Sequence, residues 1–104
     1  GDVYKRQFLD TGDINFGKNV KLGPRVQIYT VNHPVDPTER LEKGLAIASP
    51  VMIGDNVWIG GGSIINPGVV IGANTVIGSG SVVTRSLPSN VLAAGVPAKV
   101  IREI

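Results

Sequence analysis

The sequence predicts an all-β fold, a parallel β solenoid that advances six residues at a time. Three observations predict it. An aliphatic residue returns at Ile53, Ile59, Ile65, Ile71, Ile77 and Val83. Glycine follows four of these directly, at Gly54, Gly60, Gly72 and Gly78. The fifth place of each hexad (Val57, Ser63, Val69, Thr75, Ser81, Leu87) is usually small or β-branched. A helix of about 3.6 residues per turn would spread a six-residue repeat around its circumference, whereas in a strand positions i and i+4 share a face. Each hexad then supplies one short strand and one corner, and Asn56, Asn66, Gly68, Asn74 and Gly80 suit corners where φ is positive. Self-similarity at this period is the mark of stacked β-helix repeats.

Taken in order, Asp2 to Gln7 (DVYKRQ) reads as a translated sequencing adaptor, so residues 1–7 are set aside. The solenoid is expected over 8–87. Phe8 to Asp13 reads as a strand and a turn, and the hexad phase appears at Phe16, Leu22 and Ile28, with Val20 and Val26 in fifth places. Ile28 and Ile53 are 25 positions apart, four hexads and one residue over, so part of the chain must leave the coil. The stretch from Asn32 to Gly44 holds two prolines and most of the local charge, and predicts an extruded loop at about 31–50. From Ile53 to Leu87 the repeat is expected to run without a slip. Pro88 and Pro97 break the period in residues 88–104, which read as a short C-terminal cap over the open end.

Composition bounds the rest. A chain of 104 residues is one domain or part of one. No cysteine is present, which excludes a disulfide framework and a thiolate nucleophile. No apolar run approaches the ~20 residues of a membrane span, and no signal peptide opens the chain, so a soluble, cytoplasmic protein is expected. The formal charge is +2; without Asp2, Lys5 and Arg6 it is +1 (8 basic, 7 acidic), with no basic stripe. That balance argues against a nucleic-acid partner.

Four segments resemble one family. Gln27 to Pro34 (QIYTVNHP), Ile53 to Gly60 (IGDNVWIG), Ile65 to Val69 (INPGV) and Ala94 to Lys99 (AGVPAK) are similar, in order and spacing, to the maltose and galactoside O-acetyltransferases, a branch of the hexapeptide-repeat acyltransferases. The resemblance spans residues 8 to 104. It implies a left-handed parallel β-helix, against the usual right-handed crossover, a homotrimer, and acetyl-CoA lying between adjacent subunits as donor to a sugar acceptor. It also implies that the family's N-terminal helical region is missing, so that this chain, as a C-terminal fragment, should trimerise poorly or aggregate.

His33 is the only histidine. In its Asn-His-Pro setting it matches the family's catalytic base, and an imidazole of pKa about 6.5 suits removal of a hydroxyl proton at neutral pH. With no cysteine, direct transfer to the acceptor is expected rather than an acyl-thiol enzyme. Trp58, the only tryptophan, occupies a sixth place and should face outward, either over the trimer seam or, by resemblance, beside the thioester arm. Gly61 matches a backbone N–H facing the acetyl carbonyl. Ser79, Thr84, Arg85, Lys99 and Arg102 match acetyl-CoA contacts, the last three as cations for its phosphates. On the acceptor side, Asp10 and Thr11 align with a family acidic pair of which only Asp10 keeps a carboxylate. No metal is implied.

Other classes fit less well. The γ-class carbonic anhydrases share the β-helix but need three zinc-binding histidines, and this chain has one. A non-catalytic structural β-helix would leave the Asn-His-Pro and Asn-Val-Trp segments incidental. Serine, an amino sugar or an antibiotic hydroxyl would keep the chemistry and change the acceptor.

Overall fold

The computed structural model of the chain describes residues 12–32, 35–43 and 47–104. Short strands alternate with corners, as a six-residue step demands. The first are β1 (Ile14–Phe16), β2 (Lys21–Leu22) and β3 (Gln27–Ile28), followed by β4 (Val31–Asn32), helix α1 (Pro37–Lys43) and β5 (Ile47–Ala48). Then come β6 (Val51–Ile53), β7 (Trp58–Ile59), β8 (Ile64–Ile65), β9 (Val70–Ile71), β10 (Val76–Ile77) and β11 (Val82–Val83). The chain ends with β12 (Val91–Gly95) and β13 (Ala98–Glu103).

Stacking these steps produces three sheets with parallel pairing between coils. β6 lies between β1 and β9, β8 between β3 and β11, and β7 and β10 connect β2 to β12. Met52 faces Val70, Trp58 faces Val76 and Ile64 faces Val82, each pair 18 residues apart, so three hexads complete one circuit. Ile53, Ile59, Ile65, Ile71, Ile77 and Val83 point inward and are at most 2% exposed. Each stacks on its equivalent in the next coil, and full burial of such a side chain contributes about 1.5–3 kcal/mol. Val57 and Val69 fill two of the fifth places. Ser63, Thr75 and Ser81 fill others, fully buried.

Those hydroxyls are tolerated inside because each has a partner. Ser63 and Ser81 donate to the Gly78 carbonyl at 3.1 and 2.6 Å, and Thr75 donates to the Pro88 carbonyl at 2.7 Å. Without a partner each would cost about 1–3 kcal/mol. The corners are equally particular. Asn19, Asn56, Asn74 and Asn90 occupy one column with φ between 58° and 63°, a region that asparagine and glycine enter at least cost. Their amides form a ladder, with Asn56 Nδ2 donating to Asn74 Oδ1 at 3.1 Å and Asn74 Nδ2 to Asn90 Oδ1 at 2.9 Å. Asn74→Ala is expected to cost about 2 kcal/mol and Asn74→Gly about 1 kcal/mol, since only alanine adds a left-handed penalty to the lost amide bonds. Urea denaturation of the two variants measures the difference.

The coil opens once. Phe16 faces Ile53, 37 residues on, which is one circuit plus 19 residues. The chain leaves after Thr30 and returns at Ser49, whose N–H donates to the Thr30 carbonyl at 2.7 Å. Between them β4 and β5 pair antiparallel as a stalk, Val31 opposite Ala48 and Asn32 opposite Ile47. α1 lies within this arm. Asp36 caps it, accepting from the Thr38 N–H at 2.8 Å, and Pro37 takes the first helical position, where its fixed φ fits and its missing N–H is harmless. One of the two prolines that signal a loop in the sequence therefore starts a helix.

The repeat does slip before its end. Counting by six puts Leu87 in a fifth place, but it pairs with Ile71, a first-place residue 16 positions earlier. The corner after Val83 is two residues shorter than the one after Ile65, and is closed by Val70 N–H donating to Ser86 Oγ and Leu87 N–H to the Val70 carbonyl, both at 2.9 Å. The same offset continues into β12, where Leu92 faces Val76 and Ala93 faces Ile77. Val91 and Ala93 are buried, so the stretch in which the sequence period breaks still contributes to the core. β13 then turns back antiparallel on β12 and takes the edge of the sheet. Among the described residues no helix is long and apolar enough to cross a membrane.

Candidate functional site

The candidate site is assembled from corners and outward strand positions, since the inward positions are filled. Gly23, Gly60 and Gly78 open the second corner of successive coils, their N–H groups donating to the Ile59, Ile77 and Ala93 carbonyls. Coils approach so closely here that a Cβ on Gly60 would sit 2.5 Å from the Ser79 nitrogen. The next residues up the column are Pro24, Gly61 and Ser79. Pro24 has no N–H, whereas that of Gly61 makes no hydrogen bond among the described residues; the Gly61 carbonyl accepts from Gly80. Gly61 and Ser79 are thus stacked neighbours in adjacent coils, and the Gly61 amide is a donor still to be used.

A second group of expected residues meets across the shortened corner. Thr84 and Arg85, directly after β11, line a groove of about 450 Å³ with Pro97, Ala98 and Lys99. The two-residue shortening and the return of β13 together bring Arg85 and Lys99 to one cleft from 14 positions apart in sequence. Both side chains are exposed. A pair of cations with a hydroxyl between coil and return strand is a donor set that fits phosphate oxygens. Arg102 is outside this groove. On β13, it pairs with Leu92 of β12, and its guanidinium donates to the Glu103 carbonyl at 3.2 Å.

Trp58 stands apart from both groups. It projects outward from β7 between Lys21 and Val76, its partners in the coils on either side, and is 57% exposed. Its indole borders a separate groove of about 350 Å³, on the first-corner side of β7, shared with Asn19, Lys21, Asn56 and Asn74. Counting by six places Lys21 in the same outward sixth place as Trp58, which is the signal in the sequence that could have joined the two. His33, Asp10 and Thr11 lie outside the described residues. What is described beside His33 is the stalk, where β4 ends at Asn32.

Residues 50–85 match the family model for the bacterial transferase hexapeptide (six repeats). The galactoside O-acetyltransferase of Escherichia coli (strain K12) is 49% identical over 96 residues, covering 92% of this chain and 47% of that protein. A solved galactoside acetyltransferase in complex with coenzyme A superposes with a TM-score of 0.82 at 50% identity, over 88% of this chain and 45% of that one. The crystal structure of a maltose O-acetyltransferase from Clostridium difficile 630 superposes with a TM-score of 0.69 at 36% identity, over 99% of this chain and 74% of that one. The chain spans about half the length of the curated relatives it matches.

Proposed function

This chain belongs to the maltose and galactoside O-acetyltransferase family of hexapeptide-repeat acyltransferases, and we propose that it transfers acetyl from acetyl-CoA to a sugar hydroxyl in the cytoplasm, as a left-handed β-helix assembled into a homotrimer. The observation that carries the coenzyme assignment is the groove uniting Thr84, Arg85 and Lys99. Acetyl-CoA supplies the acetyl group as a thioester. Arg85 and Lys99 hold its phosphates, Arg102 adds charge along β13, and Ser79 and Gly61 line the wall beside the arm that carries the thioester.

His33 removes the proton from the attacking hydroxyl and returns it to the departing sulfur, so the imidazole ends the cycle unchanged. The unused Gly61 N–H faces the carbonyl oxygen as negative charge develops there, a donor that needs no reorganisation during reaction. Asp10 and Thr11 take the acceptor. A trimer suits this division, because in sequence His33 directly follows Asn32, where the stalk strand β4 ends, while Trp58 and Gly61 stand on the coil wall.

Transfer from acetyl-CoA, corrected for hydrolysis, to a panel of sugars, amino sugars and serine tests the reading. Acetylation of a sugar hydroxyl is the expected result, and transfer to serine alone would replace it. Loss of a charge-assisted contact in Arg85→Ala or Lys99→Ala should raise KM for acetyl-CoA by about tenfold, with kcat little changed. Steady-state kinetics with acetyl-CoA varied checks it.

A further inference from the structure

The groove on the first-corner side of Trp58 contains none of the residues assigned to the coenzyme other than Trp58 itself. Gly61 and Ser79 follow β7 at the second corner, and Thr84, Arg85 and Lys99 belong to later coils. Lys21 and Asn19 enter it from the preceding coil, and Asn74 and Val76 from the following one. The groove thus crosses three coils on the first-corner side of the wall, away from the second-corner residues Gly61 and Ser79, and has no assigned ligand.

The chemistry of that surface is specific. The indole is exposed and offers a flat, apolar face. Lys21 faces Trp58 in register one strand away, about 4.8 Å by the spacing of paired strands. Lys21 carries the only charged side chain among the groove's lining residues, which also include Val57, Val76 and Ile104. Asn56 and Asn74 hold one another, but an amide has two protons and two lone pairs, so the ladder keeps donors and acceptors to spare. A flat aromatic wall bordered by a cation and amides matches a pyranose ring, whose C–H face packs on an indole while its rim of oxygens accepts from ammonium and amide groups.

We infer that Lys21 is an acceptor-positioning residue: it donates to an oxygen of a pyranoside stacked on Trp58 and so orients the sugar relative to the coenzyme wall. This inference rests on the acetyl-transfer reading, but its test reads binding rather than turnover.

Because Trp58 is the only tryptophan, its fluorescence, read with no coenzyme present, reports on sugar binding at this indole. Methyl galactoside is titrated against the full chain while Trp58 emission is followed, and coenzyme A binding is measured separately by calorimetry. Saturable change in emission is expected in the wild type. Lys21→Ala should weaken sugar binding by about tenfold, Lys21→Arg should recover most of it, and both should bind coenzyme A as the wild type does. Equal sugar affinity in wild type and Lys21→Ala overturns the inference, as does an emission that ignores the sugar. Failure of the wild type to bind coenzyme A would strike the acetyl-transfer reading, while the sugar titration still decides the role of Lys21.

Discussion

His33→Ala is expected to lower kcat for acetyl transfer by about 10²- to 10⁴-fold, the range over which a positioned acid–base group accelerates proton transfer. KM for acetyl-CoA should change little, because the coenzyme is assigned to Gly61, Ser79, Thr84, Arg85 and Lys99 rather than to the arm. A sugar hydroxyl is a poor nucleophile while it keeps its proton, and His33 is the chain's only imidazole. No cysteine is present to divert the reaction through an acyl-thiol. Single-turnover measurement with saturating acetyl-CoA isolates the transfer step. Turnover of His33→Ala within a factor of a few of the wild type would remove the base from the mechanism and leave positioning by Gly61 and the groove walls to account for the rate.

Ile59→Ala is expected to cost about 2–5 kcal/mol, the range for emptying a well-packed aliphatic site. Ile59 is fully buried, with Leu22 in line on one side and Ile77 on the other. Backbone bonds clamp the coils above and below it, Gly23 N–H donating to the Ile59 carbonyl and Gly60 N–H to that of Ile77, both at 2.8 Å, so the cavity cannot easily collapse. Leu22→Ala supplies the contrast. Leu22 belongs to the same inward row but is 45% exposed in the first described coil, and its truncation should cost roughly half as much because less area returns to water. Urea denaturation of both variants decides the matter. Equal losses would mean that the two coils are packed alike.

Much of the wall was readable from the chain because the rule that builds it is local. Six residues of strand and corner put the first and fifth places inside whatever the rest of the molecule does, and Ile53 to Val83 obey that rule in the structure. The same count puts Trp58 and Lys21 outside. Counting failed at Leu87, where a corner two residues short moved a nominal fifth place onto the Ile71 row. It was also silent on α1, a seven-residue helix inside a segment marked by prolines and charge. For the candidate site, the residue types were legible through resemblance, but their grouping was not.

By itself, then, the sequence determined the period, the inward row, the outward sixth places, the positive-φ corners at Asn56, Gly68, Asn74 and Gly80, though not Asn66, whose φ is not positive, or Arg25, whose φ is 61°, and the point where the chain departs from the coil. These follow from backbone sterics and burial within a few neighbouring residues. Only the tertiary structure decided which outward residues meet. Arg85 reaches Lys99 because a circuit closes two residues early and β13 folds back on β12, and Lys21 reaches Trp58 because 19 residues are extruded between their coils. Both meetings depend on how far one coil is offset from the next. That offset is set by the sum of every corner and insertion between them, a quantity no local window contains.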